Sequence, residues 1–193
     1  MFSLHIESIE GVSQIINKNM SIIAVEKTKE NITFAWDSLT IYYDDEAHKD
    51  KEKVKDFGPI TVGFVGYVRS RHYIYNYFKK ITANKNSQFQ LNDPFSVISI
   101  FDDFKKQYKE IEHLKFDEND AIVISDRRRA FIYDPFKADC HEIKEFDAIG
   151  SGAYIAMGAY RVCKDIERSV GIACEMSIKC GLPVNKLTTK LIK

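Results

Sequence analysis

Two short apolar runs near the start of the chain, Ser21-Ile22-Ile23-Ala24-Val25 and Ile32-Thr33-Phe34-Ala35-Trp36-Asp37, are separated only by the polar stretch Glu26 to Asn31. Runs this short, apolar on successive residues and bounded by a charged turn, predict a buried β-hairpin. Such a hairpin needs other layers to cover it, and that need constrains the fold more than any other feature. The pattern returns in Ala121-Ile122-Val123-Ile124 and Ala130-Phe131-Ile132-Tyr133, joined by the turn Ser125 to Arg129. A further β-branched strand, Ile60 to Gly66, follows an almost wholly charged stretch at residues 44–56, and its glycines mark places where another element comes close.

Helical spacing separates these runs. Leu4, Ile6, Ile9, Val12, Ile15 and Ile16 predict a short amphipathic helix over residues 3–18. Tyr67, Ile74, Tyr77 and Phe78 predict a second over Tyr67 to Lys80, and Asp93-Pro94 opens a third that runs to Lys109. A loop, Ala148-Ile149-Gly150-Ser151-Gly152, leads into a long helix through about Ser169. Another helical segment, Val170 to Lys179, stops at Cys180-Gly181-Leu182-Pro183 before a tail strand. Strand pairs on tight turns, alternating with helix pairs, predict an α+β fold of antiparallel sheets covered by helices on their outer faces.

Composition narrows the function. A chain of 193 residues with 45% hydrophobic residues has material for a single core. Lys plus Arg total 28 and Asp plus Glu total 28, so there is no excess of cations to neutralise phosphate, and neither nucleic acid nor membrane is an expected partner. A net charge of zero favours association with copies of itself. The start of the chain has no basic and apolar signal pattern, which predicts a cytoplasmic protein. Cys140, Cys163, Cys174 and Cys180 lack the spacing of a zinc site or the density of a disulfide framework and read as reduced, packed thiols. The histidines form no ligand pair, and no metal or cofactor is expected. Arg127-Arg128-Arg129 reads as a solvated hairpin tip, Asp117 to Asp120 as an acidic loop, and the stripe Arg69, Arg71, Tyr73, Tyr75, Tyr77 as a packing face with a charged flank. Ser151 between glycines has the position of a helix N-cap.

Four words, in order, carry a resemblance: Met20 to Val25 at the first strand, Ala35-Trp36-Asp37-Ser38 ending the second, Gly63-Phe64-Val65-Gly66 entering a helix, and Ala148 to Gly152 before the long helix. Together, over residues 20 to about 187, they resemble the proteasome-type N-terminal-nucleophile hydrolases, the family of the 20S proteasome subunits and the bacterial two-ring peptidase. The resemblance implies a four-layer αββα sandwich and assembly of copies into a ring. It implies a polypeptide substrate, with an ATP-dependent unfoldase as a further partner. It also implies a hydroxyl nucleophile at a free N-terminus, whose α-amino group, with an ordinary pKa of about 7.7–8.0, serves as its own general base.

Carried over residue by residue, the resemblance makes Ser21 the nucleophile, Asp37 the carboxylate that holds a lysine, Lys53 that lysine, and Ser151 the serine beside the amine. The gapping of the turn Glu26 to Asn31 decides whether Met20 or Ser21 takes the first position, and Lys51 and Lys55 flank the chosen lysine. Residues 1–19 are then an extension, as helix, propeptide or misplaced start, and residues 20–193 the hydrolase domain. Asn19-Met20 offers no glycine for self-cleavage, so the expected peptidase has two alternatives: an inactive structural or gating subunit, and a small-molecule amidase or transpeptidase.

Overall fold

The structure, a computed structural model, describes residues 21–41, 47–49, 52–83, 89–111 and 114–192. The helix expected over residues 3–18 lies outside the described residues. In chain order the elements are β1 (Ile22–Lys27), β2 (Asn31–Trp36), β3 (Leu39–Ile41), β4 (Ala47–Lys49), β5 (Val54–Asp56) and β6 (Thr61–Val65). The helices α1 (Val68–Thr82) and α2 (Pro94–Gln107) follow, then β7 (Ala121–Ser125), β8 (Ala130–Asp134), β9 (Asp139–Glu142) and β10 (Phe146–Gly150). The chain closes with α3 (Ala153–Cys163), α4 (Ile166–Met176) and β11 (Asn185–Lys190).

Two antiparallel sheets form, one in the order β10-β1-β2-β11 and one in the order β5-β6-β7-β8-β9, with β3 and β4 as a separate pair. Strand alternation explains how they stack, because successive side chains leave a strand on opposite faces. In β1, Ile23 and Val25 meet Val54, Val65, Val123 and Ile132 of the second sheet, while Ile22 and Ala24 meet Ala153, Ala156, Val170 and Ala173 of α3 and α4. In β6, β7 and β8, the alternate residues Phe64, Ile122, Ile124, Phe131 and Tyr133 turn outward onto Ile74, Phe78, Phe101 and Phe104 of α1 and α2. The result is the expected αββα sandwich, with three apolar layers and the central strands β1, β2, β6, β7 and β8 buried on both faces. The outer layer over the second sheet is aromatic: Phe101 stacks on Tyr133 with ring centres 4.5 Å apart, and Phe78 meets Phe101 edge-on at 5.8 Å.

Local signals account for most element ends. Asp93 caps α2, its side chain accepting from Ser96 N at 2.8 Å while Ser96 Oγ faces the Asp93 N–H, and Pro94 occupies the first turn. The long helix expected through Ser169 is instead two helices. Lys164 turns left-handed at φ 51° to end α3, and the Asp165 side chain accepts from Arg168 N to start α4. Ser151 does not cap α3; Gly152 holds that position without a side-chain bond. The charged stretch contains β5, where only Val54 is buried, and the loop before Ser151 is the end of strand β10.

Asp120, almost wholly buried beside the start of α1, accepts from Asp117 N at 2.8 Å and from the Tyr67 backbone, yet burial pushes its carboxyl up to about 7. A carboxyl with a raised pKa in the folded chain holds its proton longer there than when unfolded. It therefore favours the folded state most at low pH, and that contribution is lost as pH rises through about 7. Asp120→Asn removes this component. Its thermal midpoint is expected to fall less than the parent's between about pH 5 and about pH 8, measured by circular dichroism.

Candidate functional site

Antiparallel pairing gathers the predicted residues. β1 lies between β2 and β10 and runs opposite to both, so the residue before β1 sits beside the residues that follow β2 and β10. Those residues are Ser21, Asp37 and Ser151. Lys53 comes from the other sheet, immediately before β5. Its backbone is held on both sides, with its carbonyl accepting from Phe64 N at 3.0 Å and from the Tyr75 hydroxyl of α1 at 2.7 Å.

Asp37 is fully buried and Lys53 is 1% exposed. Lys53 Nζ donates to Asp37 Oδ1 at 2.7 Å and to the Leu39 carbonyl. The carboxylate takes three further donors: Ile22 N at 2.8 Å on Oδ1, and Leu39 N and Gly181 N, each at 3.0 Å, on Oδ2. Such saturation offsets the cost of burying the carboxylate. On the other flank, Ser21 N donates to Ser151 Oγ at 3.3 Å, and the same hydroxyl donates back to the Ser21 carbonyl at 3.3 Å. Ser21 is therefore tied on one side to Ser151 and, through the next peptide N–H, to Asp37 and Lys53 on the other.

Two glycines make this approach achievable. Gly150 has φ 96°, and a Cβ there would lie 2.2 Å from the Ser21 carbonyl oxygen, so only glycine lets β10 close on the residue before β1. At Gly152 a Cβ would lie 2.6 Å from Cys180 Sγ. The two cysteines near the site are poor nucleophiles. Burial, with the Asp37 carboxylate second, pushes the Cys180 thiol up to about 11 and the Cys174 thiol up to about 12, so both stay protonated near neutral pH.

The structure thus brings together all four residues singled out from the sequence. It adds Gly181, read there only as a helix stop, whose N–H completes the Asp37 carboxylate, and Tyr75, read as part of a packing stripe, whose hydroxyl anchors Lys53. Neither carries a sequence signal, because each acts through hydrogen bonds to backbone or carboxylate from an element distant in the chain. Among the described residues no group of three His, Cys, Asp or Glu side chains could hold a metal ion, and no helix is long and apolar enough to cross a membrane.

Solved structures share this architecture. The Thiobacillus denitrificans protein BPH in complex with epoxomicin superimposes with a TM-score of 0.74 at 20% identity, over 89% of this chain and 100% of that one. Anbu (ancestral beta-subunit) from Yersinia bercovieri matches with a TM-score of 0.68 at 13% identity, over 88% of this chain and 81% of that one. Eukaryotic HslV from Trypanosoma brucei matches with a TM-score of 0.66 at 13% identity, over 88% and 99%. The sequence matches no family model and no curated protein. The chain has the proteasome-type N-terminal-nucleophile hydrolase fold.

The ion pair makes a direct stability prediction. Lys53→Ala leaves the Asp37 charge buried without its cation and is expected to lower unfolding free energy by about 3–5 kcal/mol in urea titrations. The double variant Asp37→Asn, Lys53→Met removes both charges and is expected to lose less than that single change.

Proposed function

We propose that this chain is a proteasome-like N-terminal-nucleophile peptidase, with Ser21 as its nucleophile once residues 1–20 have been removed. The observation that carries the reading is the buried Asp37–Lys53 pair, one hydrogen bond from Ile22 N, with Ser151 Oγ on Ser21 N from the opposite side. While Met20 precedes it, Ser21 N is an amide and has no lone pair to act as a base. Removal of Met20 makes it an amine already in hydrogen-bond reach of Ser151.

The chemistry then follows from that geometry. The α-amine takes the proton of Ser21 Oγ, directly or relayed through Ser151, as Oγ bonds to the carbonyl carbon of the scissile peptide. Lys53, kept charged and oriented by Asp37, offsets the negative charge that develops at the site. Collapse breaks the C–N bond, and the leaving amine takes the proton from the N-terminal ammonium. The ester left on Ser21 is hydrolysed when the freed amine draws a proton from water. With its pKa raised by burial, Cys180 stays out of this chemistry.

Self-association into a ring of copies belongs to the same reading, with unfolded polypeptide as substrate, an ATP-dependent unfoldase as partner and a cytoplasmic setting. Its support is the neutral net charge and a set of apolar side chains left in solvent on one pair of helices. Tyr154 and Val162 on α3, Met176 ending α4, and Ile178 and Leu182 just beyond are all more than half exposed. Ile178→Glu, at a side chain 92% exposed, is expected to leave the fold intact and shift the protein to a smaller species in light scattering. An unchanged mass would remove Ile178 from the assembly contact.

A second reading, an inactive structural or gating subunit, has its own observation: Asn19-Met20 precede Ser21 where self-cleavage would call for glycine. Mass spectrometry of the native protein separates the two. The peptidase requires a chain that begins at Ser21 and loses at least roughly 10⁴-fold in turnover on Ser21→Ala. A native chain that keeps residues 1–20 and is indifferent to Ser21→Ala is the structural subunit. A Ser21-initiated chain that cleaves small amides but no peptides is the amidase alternative.

A further inference from the structure

The segment between α4 and β11 is more than a connection. It crosses the end of β2 and clasps the turn that presents Asp37. Gly181 N donates to Asp37 Oδ2 at 3.0 Å, and the Gly181 carbonyl accepts from Ser38 N at 2.8 Å. Ser38, only 1% exposed, donates from Oγ to the Pro183 carbonyl at 2.7 Å, and the same Oγ accepts from Asn185 Nδ2 at 2.6 Å. Asn185 is the first residue of β11 and pairs in register with Trp36, the residue before Asp37.

Ser38 thus uses its N–H and both roles of its hydroxyl on a single strap, leaving the turn after β2 little rotational freedom. That turn decides where the Asp37 carboxylate points. Leu39 follows at once, giving its N–H to Asp37 and its carbonyl to Lys53. Rotation about this turn would therefore move both anchors of the lysine together. The hydroxyl gives its one proton to the strap and is buried, so its effect on chemistry passes through Asp37 and Lys53.

We propose that Ser38 and Asn185 are positioning residues, which hold the Asp37–Lys53 pair in register with Ser21 through the strap between α4 and β11. The kinetic consequence rests on the peptidase reading above; the structural consequence rests on the hydrogen bonds alone. Lys53 acts on charge that develops at Ser21, so a shift of the pair lowers turnover more than binding. It also moves an ammonium away from the N-terminal amine, which raises the pKa of that amine.

The test uses the native, assembled protein with Ser38→Ala, Asn185→Ala and the double change. Hydrolysis of a fluorogenic peptide amide is read alongside crystal structures of parent and variants. The expected result is a kcat lowered roughly 10- to 100-fold with KM nearly unchanged, as for a small misplacement of a catalytic group. The acid limb of the pH–rate profile should move to higher pH, and the double variant should be little slower than the slower single one, since both break one chain of contacts. In the crystals, Lys53 Nζ should leave hydrogen-bond distance of Asp37 Oδ1.

Variants with parental kcat and acid limb overturn the proposal, as does lost turnover with the Asp37–Lys53 contact intact. A parent that begins at Ser21 yet hydrolyses nothing defeats the peptidase reading instead, and the crystal geometry still decides the positioning role. Should Ser38→Ala not fold, Asn185→Ala, at a half-buried position with the Ser38–Pro183 bond retained, decides by the same criteria.

Discussion

The ion pair between Asp37 and Lys53 is the contact on which the site depends. It joins the residue that follows β2 in one sheet to the residue that precedes β5 in the other, at 2.7 Å and almost without solvent. Removing two charges from water is expensive, and pairs of this kind are often no more stabilising than apolar side chains of the same size. A chain selected only to hold two sheets together could have continued the layer of Ile23, Val65 and Val123 to this point. Four further hydrogen bonds, three to the carboxylate and one from the ammonium to Leu39, hold the two groups in place. The chemistry proposed at Ser21 would account for that expenditure of structure, which packing alone does not.

The layers exist, in this view, to fix one corner. Strand alternation decides which side chains fill the space between the sheets and which meet the helices, and it leaves the strand ends free to gather the polar groups of the site. β1 in the middle of its sheet brings the residues after β2 and β10 to Ser21 without any loop having to reach in. Gly150 removes the steric barrier to that approach, since any other residue would place its Cβ against the Ser21 carbonyl. Precision at the site is thus inherited from sheet register, in which Ile22 faces Gly150 and Ile23 faces Trp36.

How much of this was legible in the sequence follows from the same physics. The hairpins β1–β2 and β7–β8 were readable because each strand is a continuous apolar run on a short polar turn, and α2 because Asp93-Pro94 is a local cap. The sites Ser21, Asp37, Lys53 and Ser151 were reachable only through resemblance, since serine, aspartate and lysine carry no signal by themselves. β5 hid within a charged stretch because it is a short edge strand with one buried residue, Val54. The break between α3 and α4 hid because Lys164 adopts a left-handed conformation that lysine does not advertise. Ser38, Gly181 and Asn185 hid because their partners are more than 140 residues away in the chain. At the site itself, what escaped is what long-range hydrogen bonding supplies, and local pattern does not encode it.

The state of the Ser21 nitrogen connects these threads. As an amide it already donates to Ser151, and the next amide already donates to Asp37. The contacts that would orient a free amine therefore precede the event that would create it. Exposing the terminus would add a base to a site whose cation, carboxylate and hydroxyl are in place, with little rearrangement left to perform. Preorganisation of this kind is what electrostatic catalysis demands. It also separates two questions: folding builds the corner, and in the proposed mechanism covalent processing at Met20 gives the corner its base.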